Sequence, residues 1–168
     1  EASGNYAFRV DSQPPEIFLA EPTDGVYQTA ESVTVAATVT DVGSGVSAVS
    51  LNQTPVNFIR NLNDTVFSTT LNSLSEGPNL IRLDVSDEVG NQRTLSVTVN
   101  RDSRPPPATL TEPEIGVAVP LPLPVTGTIT DDFENAPGEP LIRGSGIAEL
   151  IVNGVNASIN EESNTWVA

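Results

Sequence analysis

A block near the start of the chain returns later with its order and internal spacing intact, and this constrains the fold more than any other feature. Asp11-Ser12-Gln13-Pro14-Pro15, then Leu19, then Glu21-Pro22 reappear as Asp102-Ser103-Arg104-Pro105-Pro106, Leu110 and Glu112-Pro113, each displaced by 91 positions. Further on, Gly43-Ser44-Gly45-Val46 with Val49, Leu51 and Asn52 return as Gly144-Ser145-Gly146-Ile147 with Leu150, Val152 and Asn153, displaced by 101. The second copy therefore carries about ten more residues, which the alignment puts within residues 132–143. Ala2-Ser3-Gly4-Asn5 and Glu88-Val89-Gly90-Asn91 precede the two Asp-x-x-Pro-Pro blocks. A period of this length is too long for a solenoid and suits a sandwich domain repeated head to tail.

The repeat sets a frame. Residues 1–10 are expected to be the last strand of a preceding unit, residues 11–101 a complete unit, and residues 102–168 the first part of a following one. Trp166 stands at the place of Phe67, so the frame leaves this last unit without its final strands, to be supplied by more polypeptide or by another chain.

Within the complete unit, seven strands are expected. Pro14-Pro15 leads into the first, over residues 16–20, and Glu21-Pro22-Thr23-Asp24-Gly25 turns the chain. Val33, Val35, Ala37 and Val39 alternate with Thr34, Ala36 and Thr38, the period of two that buries one face of a strand. Strands over 46–51 and 54–59 follow. A further one carries Phe67, Thr69 and Leu71, and the last two carry Ile81, Leu83, Val85 and Leu95, Val97, Val99. These apolar sets are the expected core, and no helix longer than a turn is visible.

The balance of 22 acidic against 7 basic residues, a formal charge of −15, disfavours phosphate backbones and anionic lipid as partners. Lys, Cys, His and Met are absent, which removes the ligands and nucleophiles of thiolate and imidazole metal sites, Ser-His-Asp and Cys-His catalysis and Schiff-base chemistry. No run reaches the roughly 18 apolar residues of a membrane helix. The most apolar stretch, residues 117–125, is broken by Pro120, Pro122 and Pro124 and reads as an extended edge or linker.

The ordered set of motifs resembles the bacterial immunoglobulin-like repeats of large surface adhesins and of accessory modules in secreted enzymes. It comprises Asp-x-x-Pro-Pro at Asp11 and Asp102, Asp41-Val42-Gly43-Ser44-Gly45-Val46, and the Asp87-Glu88-Val89-Gly90-Asn91 corner. The resemblance implies an all-β chain of tandem immunoglobulin-like β-sandwiches, about seven strands per complete unit. It also implies an extracellular or cell-surface location and a non-catalytic role as a spacer or stalk. Neighbouring immunoglobulin-like domains of the same polypeptide are the expected partners, with a host or cell-surface protein or glycan as a further one. The alternative is a glycan- or protein-binding accessory module of a secreted enzyme. Tyr6, Phe8, Phe18, Tyr27 and Phe133 are the aromatic residues such binding could use.

In a seven-strand sandwich of this topology, the start of the first strand shares one end with the loop after the second strand and the loop between the last two. Asp11, Asp41 and Asp87, with Glu88 beside them, are expected to meet there. Asp102, Asp131 and Asp132 repeat the first part of that arrangement. Hard oxygen donors from several loops suit calcium. The same residues equally serve as turn formers that accept backbone N–H groups. In the related adhesin repeats, calcium at such junctions stiffens the array, and the resemblance implies that role here. An acid pair could in principle serve as a glycosidase dyad, but each acid reads first as a turn residue.

Overall fold

Alternation of β-branched residues dictates the first layer. In the computed structural model, which describes residues 9–61, 64–114, 116–119, 121–134, 138 and 140–168, β3 (Val33–Thr40) turns Val33, Val35, Ala37 and Val39 inward and its threonines and Ala36 outward. It lies between β1 (Glu16–Glu21) and β7 (Thr65–Leu71), both antiparallel to it, and β6 (Ile59–Arg60) closes the sheet in the order β1-β3-β7-β6. The second sheet runs β2 (Val26–Gln28), β9 (Gln92–Arg101), β8 (Gly77–Asp87), β4 (Val46–Leu51) and β5 (Thr54–Pro55). Its β2–β9 pair is parallel and the rest antiparallel.

Ile81, Leu83 and Val85 of β8, Val97 and Val99 of β9, and Val46, Val49 and Leu51 of β4 meet the inner face of the first sheet in one core, joined by Phe67 and Leu74. Each such side chain contributes about 1.5–3 kcal/mol on burial. Two facing antiparallel sheets with this order make an immunoglobulin-like β-sandwich. Among the described residues the chain is all-β, without a helix.

Two details correct the expected strand list. The stretch 54–59 is not one strand: Thr54–Pro55 pairs with β4 in one sheet, whereas Ile59–Arg60 pairs with β7 in the other. Here the chain crosses from layer to layer, so the run cannot stay extended on a single ladder. The three-residue β2 was missed altogether, being too short for a period of two to show.

The spacing of Val46 and Val49, three apart instead of two, also has a cause. The β4–β8 register shifts between Val46 and Ala48, and this bulge returns Val46 to the core side. Ser47 Oγ is held there by Ser86 O (3.1 Å) and Asp87 O (2.6 Å).

The chain divides into two compact units, Glu1–Arg101 and Asp102–Ala168. Residues 1–8, read as the tail of a preceding unit, lie outside the described residues. The second unit has β10 (Ala108–Glu112), β11 (Thr126–Ile129), β14 (Ser158–Asn160) and β15 (Thr165–Val167) in the order β10-β11-β15-β14, and a separate hairpin of β12 (Ile151–Val152) with β13 (Val155–Asn156). The register shift between Leu19 and Glu21 in β1 recurs between Leu110 and Glu112 in β10. Phe133 and Ile142 exchange reciprocal backbone bonds of 3.0 and 2.8 Å. The described residues of the stretch 117–125 form no strand.

Candidate functional site

At the leading end of the first unit, three aspartates converge. Asp11 comes from the segment before β1, Asp41 from the loop after β3 and Asp87 from the end of β8. One carboxylate oxygen of each lies within 4.8 Å of the others.

The backbone geometry explains why Gly-Ser-Gly follows Asp41. A Cβ at Gly43 would run into the Asp11 carboxylate, so only glycine allows that close approach. Gly45 has φ of +91°, a conformation L residues rarely adopt. These two glycines present successive amides to the acids. Ser44 N–H donates to Asp11 Oδ2 at 2.7 Å and Gly45 N–H to Asp41 Oδ1 at 2.5 Å.

Asp87 is buried and organises the β8–β9 corner. Its Oδ1 accepts from Val89 N–H (3.0 Å) and Asn91 N–H (2.8 Å), and its Oδ2 from Asn91 Nδ2 (2.7 Å). The same Asn91 amide reaches the carbonyls of Asp11 and Gln13, each at 3.4 Å, tying the corner to the first segment of the unit. Asn91 was not singled out from the sequence as a site residue, although the recurrence of Gly-Asn before each Asp-x-x-Pro-Pro block marks it. Glu88 does not join the group: its carboxylate pairs with Arg60 at 3.0 Å.

Donors from Ser44 and Gln13 hold the Asp11 carboxyl below the ordinary range. Burial pushes Asp87 up, but the hydrogen bonds from Asn91, Gly90 and Val89 outweigh it and leave a net lowering. Both are therefore ionised at neutral pH. Two carboxylates about 5 Å apart repel by roughly 3 kcal/mol at an effective dielectric near 20. Backbone N–H donors to each of the three acids offset part of that cost. What the arrangement can do chemically is attract a hard cation with oxygen ligands.

The second unit repeats half of this design. Ser145 N–H donates to Asp102 Oδ2 at 2.7 Å and Gly146 N–H to Asp131 Oδ2 at 2.6 Å. Gly146 has φ of +96°, like Gly45. Burial raises the Asp102 carboxyl, while hydrogen bonds from Ser145 and Arg104 and the charge of Arg104 bring it below the ordinary range.

Asp132 does not complete a trio. Its amide donates to Thr130 Oγ1, and among the described residues the second unit has no three carboxylates gathered as in the first. The third acid in the first unit comes from β8, and no counterpart of β8 is present among the described residues here. Asp132 instead borders a polar cavity of about 230 Å³ with Asp131, Arg143 and Glu161.

Of the aromatic candidates, Tyr6 and Phe8 lie outside the described residues. Phe18 and Tyr27 are exposed, and Phe133 carries the Arg104 guanidinium 4.6 Å from its ring centre.

Comparison with known proteins places the first unit in a family. The family "Glucodextranase, domain B" matches residues 15–103, the span from Pro15 at the head of β1 to just past the end of β9. Among solved structures, the chain is similar to dimeric latent PorU from Porphyromonas gingivalis, with 21% identity and a TM-score of 0.42. That similarity covers 76% of this chain and 13% of the PorU chain, so the present chain spans a small part of that protein. No curated protein matches the chain.

Proposed function

The chain belongs to the glucodextranase domain B family, and we propose that it is a non-catalytic immunoglobulin-like module of a longer extracellular protein, where it acts as a spacer within a row of such units. The observation that carries this reading is the repetition of the leading-end network. The Asp11–Ser44 and Asp41–Gly45 bonds recur as Asp102–Ser145 and Asp131–Gly146. The second network begins with the residue that follows Arg101, the end of β9. Two copies of one loop-organising device without intervening linker sequence are what a stalk requires, since flexible linkers would waste its length.

The same reading gives the first unit a calcium ion at its leading end. Asp11, Asp41 and Asp87 would each supply an oxygen, with carbonyls and water completing the six to eight ligands calcium takes. Extracellular modules bind it with dissociation constants of about 0.1–1 mM, and saturation at a hundred times that constant adds about 2.7 kcal/mol.

The test is thermal unfolding of residues 1–168 in chelator and in ~10 mM calcium, a concentration roughly ten to a hundred times the expected constant, repeated on Asp41→Asn. A rise in Tm that the variant loses supports the calcium site. A Tm indifferent to calcium leaves the acids as turn formers.

The spacer role has its own readout. Scattering from the longer array should report an elongated, stiff particle, and a freely jointed one would refute it.

A second reading is favoured by the family itself, named for an enzyme of glucodextran, and by two exposed aromatic residues, Phe18 on β1 and Tyr27 on β2 (56% and 42% exposed). On this reading the module binds a glucan for an enzyme. Titration with gluco-oligosaccharides separates the two: saturable binding that Tyr27→Ala weakens would replace the spacer reading.

A further inference from the structure

One cross-strand row on the outer face of the β1-β3-β7-β6 sheet differs in kind between the two units. In the first unit, Phe18 of β1 stands opposite Thr38 of β3, Thr38 opposite Val66 of β7, and Val66 opposite Ile59 of β6. Directly opposed residues share a face, so these side chains form a line across the whole sheet. Phe18 and Ile59 end the line 56% and 67% exposed, and Thr38 and Val66 between them are half-buried.

The second unit keeps the same sheet order in β10-β11-β15-β14. Its ladders lay out the matching row as Thr109, Thr128, Thr165 and Asn160. All of these are polar and exposed, and the Thr109 and Thr128 hydroxyls bond each other at 2.6 Å. Inward positions on the same strands stay apolar and buried in both units, as Val39 and Phe67 are matched by Ile129 and Trp166. The sheet therefore forms with a polar row as readily as with an apolar one. Keeping Phe18, Val66 and Ile59 together on an open face serves contact with something outside the fold.

We propose that this row is the docking line for a basic amphipathic α-helix of a partner protein. Spacing selects the helix. Adjacent strands set successive side chains of the row about 4.8 Å apart. On a helix, side chains at i and i+3 or i+4 are about 5–6 Å apart, close to that interval. Same-face residues of a strand are roughly 6.6 Å apart and fall out of step. The whole row is about 14 Å long, which about nine residues of helix cover. Among the described residues this chain has no helix, so the occupant comes from another protein.

Charge selects the sign. Glu16 and Glu21 lie on either side of Phe18 along β1, opposite Thr40 and Ala36 of the same face, and β3 and β7 contain no charged residue. Lysines or arginines beside the apolar ridge of the helix meet these acids. A second copy of the chain would bring the same acids and a charge of −15 against −15. A glycan platform would ask for several aromatic rings where the row has Phe18 alone.

The test titrates the full 168-residue chain with a synthetic helix-forming peptide of about 14 residues, leucine at i, i+4, i+7 and i+11 and lysine on the remaining face. Amide shifts and calorimetry follow the binding. Saturable one-to-one binding is expected, with a Kd on the order of 10–100 µM and the largest shifts at Phe18, Thr38, Val66 and Ile59. Phe18→Thr with Val66→Thr and Ile59→Asn, which copies the row of the second unit, should weaken binding at least about tenfold. Phe18→Thr alone, at the exposed end of the row, should weaken it severalfold, so the outcome does not depend on the triple variant folding. The same peptide with glutamate for lysine should not bind.

Absence of saturable binding would overturn the proposal. Undiminished binding by the variants, or shifts centred on Asp11, Asp41 and Asp87, would overturn it as well, since general acidity would then hold the peptide. Row shifts produced by gluco-oligosaccharide and not by the peptide would give the row to a glycan. A dimer in sedimentation equilibrium that Phe18→Thr abolishes would give it to a second copy. Either result overturns the helix as occupant.

Discussion

Gly127 stands directly opposite Trp166 across the β11–β15 ladder, just as Ala37 stands opposite Phe67 across β3–β7. The larger ring in the second unit is matched by the smaller partner. A Cβ at Gly127 would lie 2.6 Å from Trp166 Cε2 and Cζ2 and would also press on the Thr109 carbonyl. The indole N–H is satisfied by Thr128 O at 3.3 Å. Gly127→Ala should therefore destabilise the second unit by about 1–3 kcal/mol, the usual range for overpacking. Adding Trp166→Phe should recover part of that loss. Calorimetric unfolding of the full cycle checks it: coupling below about 0.5 kcal/mol would mean the two positions are independent.

The two glycines after Asp41 fail for different reasons. Gly43→Ala should displace the Asp11 carboxylate and break its bond from Ser44, whereas Gly45→Ala should meet open space but force an alanine to φ of +91°. Both lose stability, the second by about 1 kcal/mol or more. They separate in a test by nuclear magnetic resonance, where the amide shift of Ser44 moves strongly in Gly43→Ala and little in Gly45→Ala. Equal shifts would contradict the assignment.

Acid should unfold this protein in a defined window. Asp11, Asp87 and Asp102 have carboxyls lowered in the folded state. Their contribution is thus fully present above the unfolded-state value of about 3.9 and is lost as pH falls through the lower folded values. The Tm should stay nearly flat from about pH 7 to pH 5 and drop below about pH 4. Asp11→Asn should make that drop shallower while leaving the neutral-pH plateau lower. An acid limb with unchanged steepness in Asp11→Asn would show that this carboxylate does not take part.

Ser47 fixes the bulge in β4. Its hydroxyl lies 2.6 Å from Asp87 O and 3.1 Å from Ser86 O. Ser47→Ala removes this hydroxyl and leaves the partly buried site without its bonds, a loss of about 1–2 kcal/mol. Chemical denaturation measures it. If β4 is held by packing alone, the midpoint will not move.

Much of the architecture was legible beforehand. The period of two in β3, β8 and β9 follows from burying one face of each sheet, and a sequence records that directly. The convergence of Asp11, Asp41 and Asp87 was legible as well, since sandwich topology places those three loops at one end. The split of residues 54–59 between layers was not, because Thr54-Pro55 and Ile59-Arg60 carry no pattern that says which ladder each will join. Nor was the fate of Asp132: it sits next to Asp131 in the sequence, but neighbours in an extended loop point apart, and the third carboxylate of the first unit's cluster comes from β8.

By itself, the sequence determined the repeat, the all-β character, the inward faces of the principal strands and the glycines that let amides reach the acids. Each of these depends on short-range sterics or on a local period. The tertiary structure alone decided which acids meet, that Asn91 ties a β8–β9 corner to Asp11, that a bulge at Ser47 restores Val46 to the core, and that Gly127 makes room for Trp166. Those relationships join residues far apart in the chain, and their distances are set by how two sheets twist and pack, a quantity no local pattern encodes.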